Sequence, residues 1–174
     1  VTGVQTCALP IYLPDIYLVG DGAPDAVIPL DRRAVGLPAD ALVLCAFNST
    51  FKLEPVMFGV WMRLLHALPD AVLWILATSS ETTVNLRREA AARGIAPERI
   101  VPAPVTGRDA HLARLALADI YLDARLCNGH TTVVEAIWAG LPVVTCPGTA
   151  MPSRVAASLL CAAGIVDTIA ADLR

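Results

Sequence analysis

The sequence has a single lysine, Lys52, against twelve arginines in 174 residues, so a cation at position 52 is not one of many on a lysine-rich surface. Charge of either sign is scarce: 17% of residues are charged and the net charge is −3. A protein whose main partner is a nucleic-acid backbone carries a basic surface, so no nucleic-acid partner is expected and any phosphate binding must be local. Long apolar runs are missing too. Stretches such as residues 71–77 stop well short of the roughly 20 residues that span a bilayer, which excludes a membrane segment of that kind. The five cysteines, Cys7, Cys45, Cys127, Cys146 and Cys161, form no C-x-x-C pair and no metal-ligand spacing with the histidines. Free thiols in a reducing cytoplasm fit that pattern, with no metal. What the chain does have is apolar residues, 56% of the total. That rules out a disordered chain, and the length suits one domain with a core but not two full nucleotide-binding domains.

Both ends are set apart from fold reasoning. Residues 1–11 (VTGVQTCALPI) match the translation of a common sequencing-library adapter and are excluded as a processing scar, so a cut upstream is expected. Residues 165–174 (IVDTIAADLR) open a helical pattern and stop without a cap or glycine, and a cut is expected there as well. Residues 12–40 combine prolines and glycines with weak periodicity, the marks of a linker or approach segment.

From residue 41 onward, short apolar runs alternate with amphipathic stretches, the signature of βα units around a parallel sheet. Strands are predicted at 42–47, 71–77, 99–102, 120–122 and 142–145, each short and apolar as buried parallel strands are. Helices are predicted near 55–67, 81–93, 107–117, 131–139 and 152–163. Pro55 stands near the start of the first, and Gly94 just past the end of the second. The fold class is α/β: a Rossmann-like parallel sheet with helices on both faces, over 41–174. Ligands of such sheets sit beyond the carboxyl ends of the strands, so the loops after each strand carry the candidates.

After the first strand comes Asn48-Ser49-Thr50-Phe51-Lys52, where the lysine can pair with a phosphate or simply be solvated. A charge-assisted hydrogen bond of that kind contributes on the order of 1.5–3 kcal/mol. After the third strand, Thr106-Gly107-Arg108-Asp109-Ala110-His111 runs into a helix on which Arg108, His111 and Arg114 share a face. That face could clasp a base and ribose, or be a solvated surface with an Asp109 ion pair. The strongest local signal follows the fourth strand: Asn128-Gly129-His130-Thr131-Thr132, then an apolar helical run containing Glu135. A helix start with exposed N–H groups and hydroxyls suits an anion, with His130 as a further donor and Glu135 as an acceptor for ribose hydroxyls. Plain capping by the threonines and by Glu135 is the alternative. Residues 147–154 place Ser153 and Arg154 near the same edge, although Pro-Gly followed by Pro is also ordinary turn chemistry.

Taken together, FNSTFK, VTGRDAH, LCNGHTTVVEAIWAGLPVVTCPG and SRVAAS resemble the C-terminal catalytic half of the SPINDLY / O-linked N-acetylglucosamine transferase family, across residues 42–163. The most specific part is LCNGHTT with Trp138-Ala139-Gly140 and SRVAAS. The resemblance implies half of a two-domain GT-B enzyme that transfers a sugar, with inversion and without a metal, from a UDP-sugar such as UDP-GlcNAc to serine or threonine of proteins. No cofactor is implied beyond that donor, and no D-x-D motif is present. It further implies Lys52 at the diphosphate, His130, Thr131 and Thr132 around the phosphates, His111 and Arg114 at the uracil, and Arg108 and Glu135 near the ribose. Ser49 and Thr106 complete the substrate-binding set, and Lys52 and His130 stabilise the leaving group. The sequence departs from human-type relatives, which have glutamine at Ser49, lysine at Arg108, proline at Arg125 and aspartate at Glu135, so ribose contacts are expected to differ in geometry.

Also implied are an upstream Rossmann-like domain, a TPR superhelix, of which no 34-residue repeat appears here, and acceptor-protein contacts made by those regions. This chain alone is then expected to bind UDP weakly or not at all. Two other readings share the fold: a different GT-B enzyme such as a nucleotide-sugar epimerase or glycogen-synthase-like transferase, and a non-catalytic nucleotide-binding module.

Overall fold

Five apolar runs pair into one parallel sheet in the order β3-β2-β1-β4-β5, made of β1 (Leu42–Ala46), β2 (Ala71–Leu76), β3 (Ile100–Ala103), β4 (Ile120–Leu122) and β5 (Val143–Val144). The computed structural model describes Leu18 and residues 30–174. The adapter-like string and nearly all of residues 12–29 lie outside the described residues. The chain builds outward from β1 to β3, then crosses back to place β4 on the other side of β1. That reversal creates a crevice between β1 and β4 at their carboxyl ends, where open α/β sheets bind ligands.

Side chains alternate across each strand, and both faces are apolar, so helices cover both. Helices α1 (Pro55–Ala67) and α2 (Ser80–Ala91) lie over Leu44, Ala46, Leu73 and Ile75. Helices α3 (Arg108–Leu115), α4 (Thr131–Trp138) and α5 (Val155–Ala162) lie over Val43, Cys45, Phe47, Trp74 and Val143. The observed elements match the expected α/β class with helices on both faces. Helix α1 starts at Pro55 because Glu54 accepts from Val56 N and Met57 N, at 2.8 and 3.1 Å, while proline at the first position needs no partner.

Two segments go beyond the sequence reading. Residues 30–40, read as approach segment, end in contacts with the domain. Leu37 is buried in the core, and Arg32 donates to both Asp119 oxygens at 2.9 Å and to the carbonyls of Leu117 and Ala41. Residues 165–174 do not form the expected helix: Ile169 bridges Thr145 in parallel, with Ala170 N donating to Thr145 O at 2.8 Å. The physical reason is the two-residue β5, whose unpaired edge offers backbone groups to the passing chain. Among the described residues no helix is long and apolar enough to cross a membrane.

Candidate functional site at the switch point

The loops leaving β1 and β4 face each other across the crevice, and a network of buried polar groups joins them. The chain leaves β1 through Asn48, Ser49 and a 3-10 turn, Thr50–Lys52. That turn brings the Lys52 ammonium to the Asn128 carbonyl, Nζ donating at 2.7 Å. An ammonium carries three N–H donors, of which this bond uses one. Ser49 is exposed at the same edge.

Beneath this surface lies Asp123, 1% exposed. Its Oδ1 accepts from Asn48 Nδ2 (3.0 Å), Ala124 N (2.8 Å) and Gly129 N (2.7 Å), and its Oδ2 from Thr145 Oγ1 (2.8 Å). Burial pushes the carboxyl above its ordinary range, with these bonds pulling the other way. One side chain therefore ties together the exits of β1, β4 and β5. Asn128, fully buried, does similar work: its Nδ2 donates to Ala124 O at 2.7 Å, and its Oδ1 accepts from Ala156 N in the first turn of α5 at 3.2 Å.

Gly129 is required by space. A Cβ there would stand 2.5 Å from Thr132 Oγ1, 2.8 Å from Val133 Cγ2 and 3.1 Å from Asn48 Oδ1. Gly129→Ala should cost about 1–3 kcal/mol of stability, as overpacking does, and weaken any ligand at the start of α4 by displacing it. Thermal melts paired with ligand titration check both.

Helix α4 begins at Thr131 with His130 at its N-cap, and the His130 side chain makes no capping hydrogen bond. The threonines are thus not the caps considered from sequence. Thr131 is exposed in the first turn, and Thr132 turns its hydroxyl to Asn48 Oδ1 at 3.3 Å. First-turn N–H groups without a capping side chain, a helix dipole and one lysine converge on the crevice. Ser153 is buried, its hydroxyl donating to Ala150 O at 2.7 Å, so there the turn-chemistry reading holds. Arg154 is exposed.

A second group lies between α3 and α4. Glu135 stands between two partners, with Arg108 Nε 3.7 Å from Oε1 and His111 Nε2 3.5 Å from Oε2. The spacing put Arg108, His111 and Arg114 on one face as three donors pointing one way; the structure gathers only the first two onto Glu135. Arg114 is 5% exposed and lies over the Phe47 ring, 4.3 Å from its centroid. Its guanidinium donates to Pro104 O at 2.6 Å and to His111 Nδ1 from Nε (3.0 Å) and Nη2 (2.8 Å). The cause is the start of α3 at Arg108, which turns position 114 toward the sheet, where an arginine must satisfy its donors internally. Thr106 is exposed in the loop before α3, its hydroxyl donating to Gly107 O at 3.3 Å.

The family profile described as glycosyl transferase family 41 matches residues 14–174. The chain belongs to that family. It is 38% identical over 151 residues to a UDP-N-acetylglucosamine–peptide N-acetylglucosaminyltransferase of Caenorhabditis elegans, covering 87% of this chain and 13% of the relative. To the probable enzyme SEC of Arabidopsis thaliana it is 36% identical over 161 residues, covering 89% and 16%. The chain thus spans about a seventh of the length of these family 41 relatives. Among solved structures it is similar to a mutant of the Thermobaculum terrenum O-GlcNAc transferase, with TM-score 0.83 and 32% identity over 94% of this chain and 31% of that one. An Anabaena protein, HepE, solved with UDP and glucose, shares the fold at TM-score 0.52 and 17% identity over 66% of this chain and 32% of that one. The sheet therefore matches the Rossmann-like part of the GT-B glycosyltransferase fold, as the resemblance implied.

Within that family frame, Asp123 is the residue sequence reasoning missed, while Asn48 and Asn128 figured only as members of quoted segments. The available signal was an acid placed directly after a buried parallel strand, at the carboxyl edge where ligands bind.

Proposed function

We propose that this chain is the donor-binding half of an inverting, metal-independent transferase that moves a sugar, GlcNAc, from a UDP-sugar to serine or threonine of proteins. The observation that carries the reading is the meeting of Lys52 with the start of α4 at the β1–β4 crevice. Negative charge develops on the leaving diphosphate as the glycosidic bond breaks. Fixed donors aimed at that position lower the barrier because they need no reorganisation. Lys52, the N–H groups at Thr131 and Thr132, and His130 are those donors, and Ser49 borders them.

The seam between α3 and α4 takes the nucleoside end. His111 offers its imidazole to the base with Arg114 behind it, Glu135 and Arg108 meet the ribose oxygens, and Thr106 lies at the rim. The acceptor protein is held by regions outside this chain, and names of the relatives that include peptide N-acetylglucosaminyltransferase support that reading.

The test is sugar transfer by the full-length protein that carries this chain. Incubation with UDP-GlcNAc and a serine-rich protein acceptor should add N-acetylhexosamine to Ser or Thr, read by mass spectrometry. Persistent activity in Lys52→Ala and His130→Ala at wild-type rates would remove this site from the reaction.

A further inference from the structure

We propose that Arg114 is a positioning residue: it locks His111 in the tautomer that carries its proton on Nε2 and aims that N–H at Glu135. The inference rests on the donor-site reading above for its consequence, but not for its geometry. Two guanidinium N–H groups point at His111 Nδ1, at 3.0 and 2.8 Å. A ring nitrogen that accepts from arginine cannot carry a proton, so the proton of a neutral ring sits on Nε2. That nitrogen is buried and 3.5 Å from Glu135 Oε2. The ring stands edge-on to Phe47, 5.5 Å between centroids at 69°, and Phe47 in turn lies under the Arg114 guanidinium. Arginine, imidazole and phenyl ring thus hold one another in a single arrangement.

The charged and titratable groups around the ring agree. On α3 the neighbours are Arg108 and Arg114, and on α4 it is Glu135. Below Arg114 lie the Cys45 thiol on β1 and the Tyr121 phenol on β4, both kept neutral by burial. Burial first, then the adjacent Arg114 charge, lowers His111 to about 4. The ring is therefore neutral across the physiological range. A neutral ring stands beside the Glu135 carboxylate, Nε2 at 3.5 Å, without neutralising it as an imidazolium would, so the carboxylate can still accept from ribose hydroxyls.

Without Arg114, the ring can rotate, and with the adjacent positive charge gone it protonates at a higher pH than in wild type and pairs with Glu135 as a cation. Nucleotide affinity would then fall as the solution is made more acidic. Two measurements test this. In the 174-residue chain, side-chain nitrogen NMR of its three histidines should show His111 with Nε2 protonated and no titration between pH 5.5 and 8. In the full-length protein, Arg114→Met should make UDP-sugar affinity at least about 3-fold weaker at pH 5.5 than at pH 7.5, beyond any change in wild type. A UDP-sugar is the right probe because its pyrophosphate, substituted at both ends, keeps its charge over that range.

A wild-type His111 that titrates near 6.5, or carries its proton on Nδ1, overturns the proposal whatever the variant does. So does a flat affinity profile in Arg114→Met. Locked His111 with no UDP-sugar binding in wild type would instead uphold the lock and refute the donor-site reading. Those two failures are separable.

Discussion

Lys52→Met in the full-length protein should lower the proposed sugar transfer by about 100- to 1,000-fold, the usual cost of removing one donor from a developing anion. Methionine keeps the length and apolar stem of lysine and removes only the ammonium. The side chain is half-buried and makes its hydrogen bond to the carbonyl of the fully buried Asn128, so leaving that acceptor unpaired should cost about 1–3 kcal/mol of stability. With one lysine in the chain, no other ammonium of these 174 residues can take over. Steady-state kinetics with varied donor concentration, alongside a thermal melt, separates a lost reaction donor from a lost fold. A drop of less than about 5-fold would mean that Lys52 is an ordinary loop lysine resting on Asn128.

Asp123→Ala should be the most damaging substitution for the fold of the site, costing on the order of 3–5 kcal/mol. It strands four donors at once: Asn48 Nδ2, the N–H groups of Ala124 and Gly129, and the Thr145 hydroxyl. Each buried unsatisfied donor costs about 1–3 kcal/mol before relaxation. Asp123→Asn keeps an acceptor in place and removes a buried charge, so it should stay within about 1 kcal/mol of wild type. Chemical denaturation of both variants checks the contrast, and equal losses would show that charge, not acceptance, is what the site needs.

The same carboxyl gives a pH dependence with a definite sign. Burial raises its folded-state value above the ordinary one. Its own contribution to stability is therefore full below the ordinary carboxylate value and is lost as pH rises through the raised value. Asp123→Asn should remove that component from the stability-versus-pH curve. Retaining a carboxylate at that stability cost is understandable where four donors from three loops must be held to one point.

Local patterns carried most of the fold. Helix α1 is bounded as expected, at Pro55 and Ala67, because proline at its first turn and the capping Glu54 act within three residues of the boundary. The strands were visible as apolar runs, with ends displaced by at most one residue, as at Phe47, where a buried run outlasts its pairing. Residues 165–174 were misread because a tail without strong periodicity takes its shape from a partner, here the edge at Thr145.

The site was legible as residue types in loops, not as connections. Spacing could put His111 and Arg114 together, but not show that arginine faces inward onto Phe47 and Pro104. Asp123 and Asn48 are 75 residues apart in sequence, and nothing local links them. Such a pairing follows from the strand order, in which β4 returns to lie beside β1.

The most direct test of the donor site is calorimetric titration of UDP into the full-length protein that carries this chain, in wild type and in Lys52→Met and His130→Ala. The account predicts saturable binding in wild type, weakened about 10- to 100-fold by Lys52→Met, the equivalent of one charge-assisted hydrogen bond, and weakened also by His130→Ala. Wild-type binding left unchanged by both substitutions, or no binding at all, would contradict a diphosphate site between the exit of β1 and the start of α4.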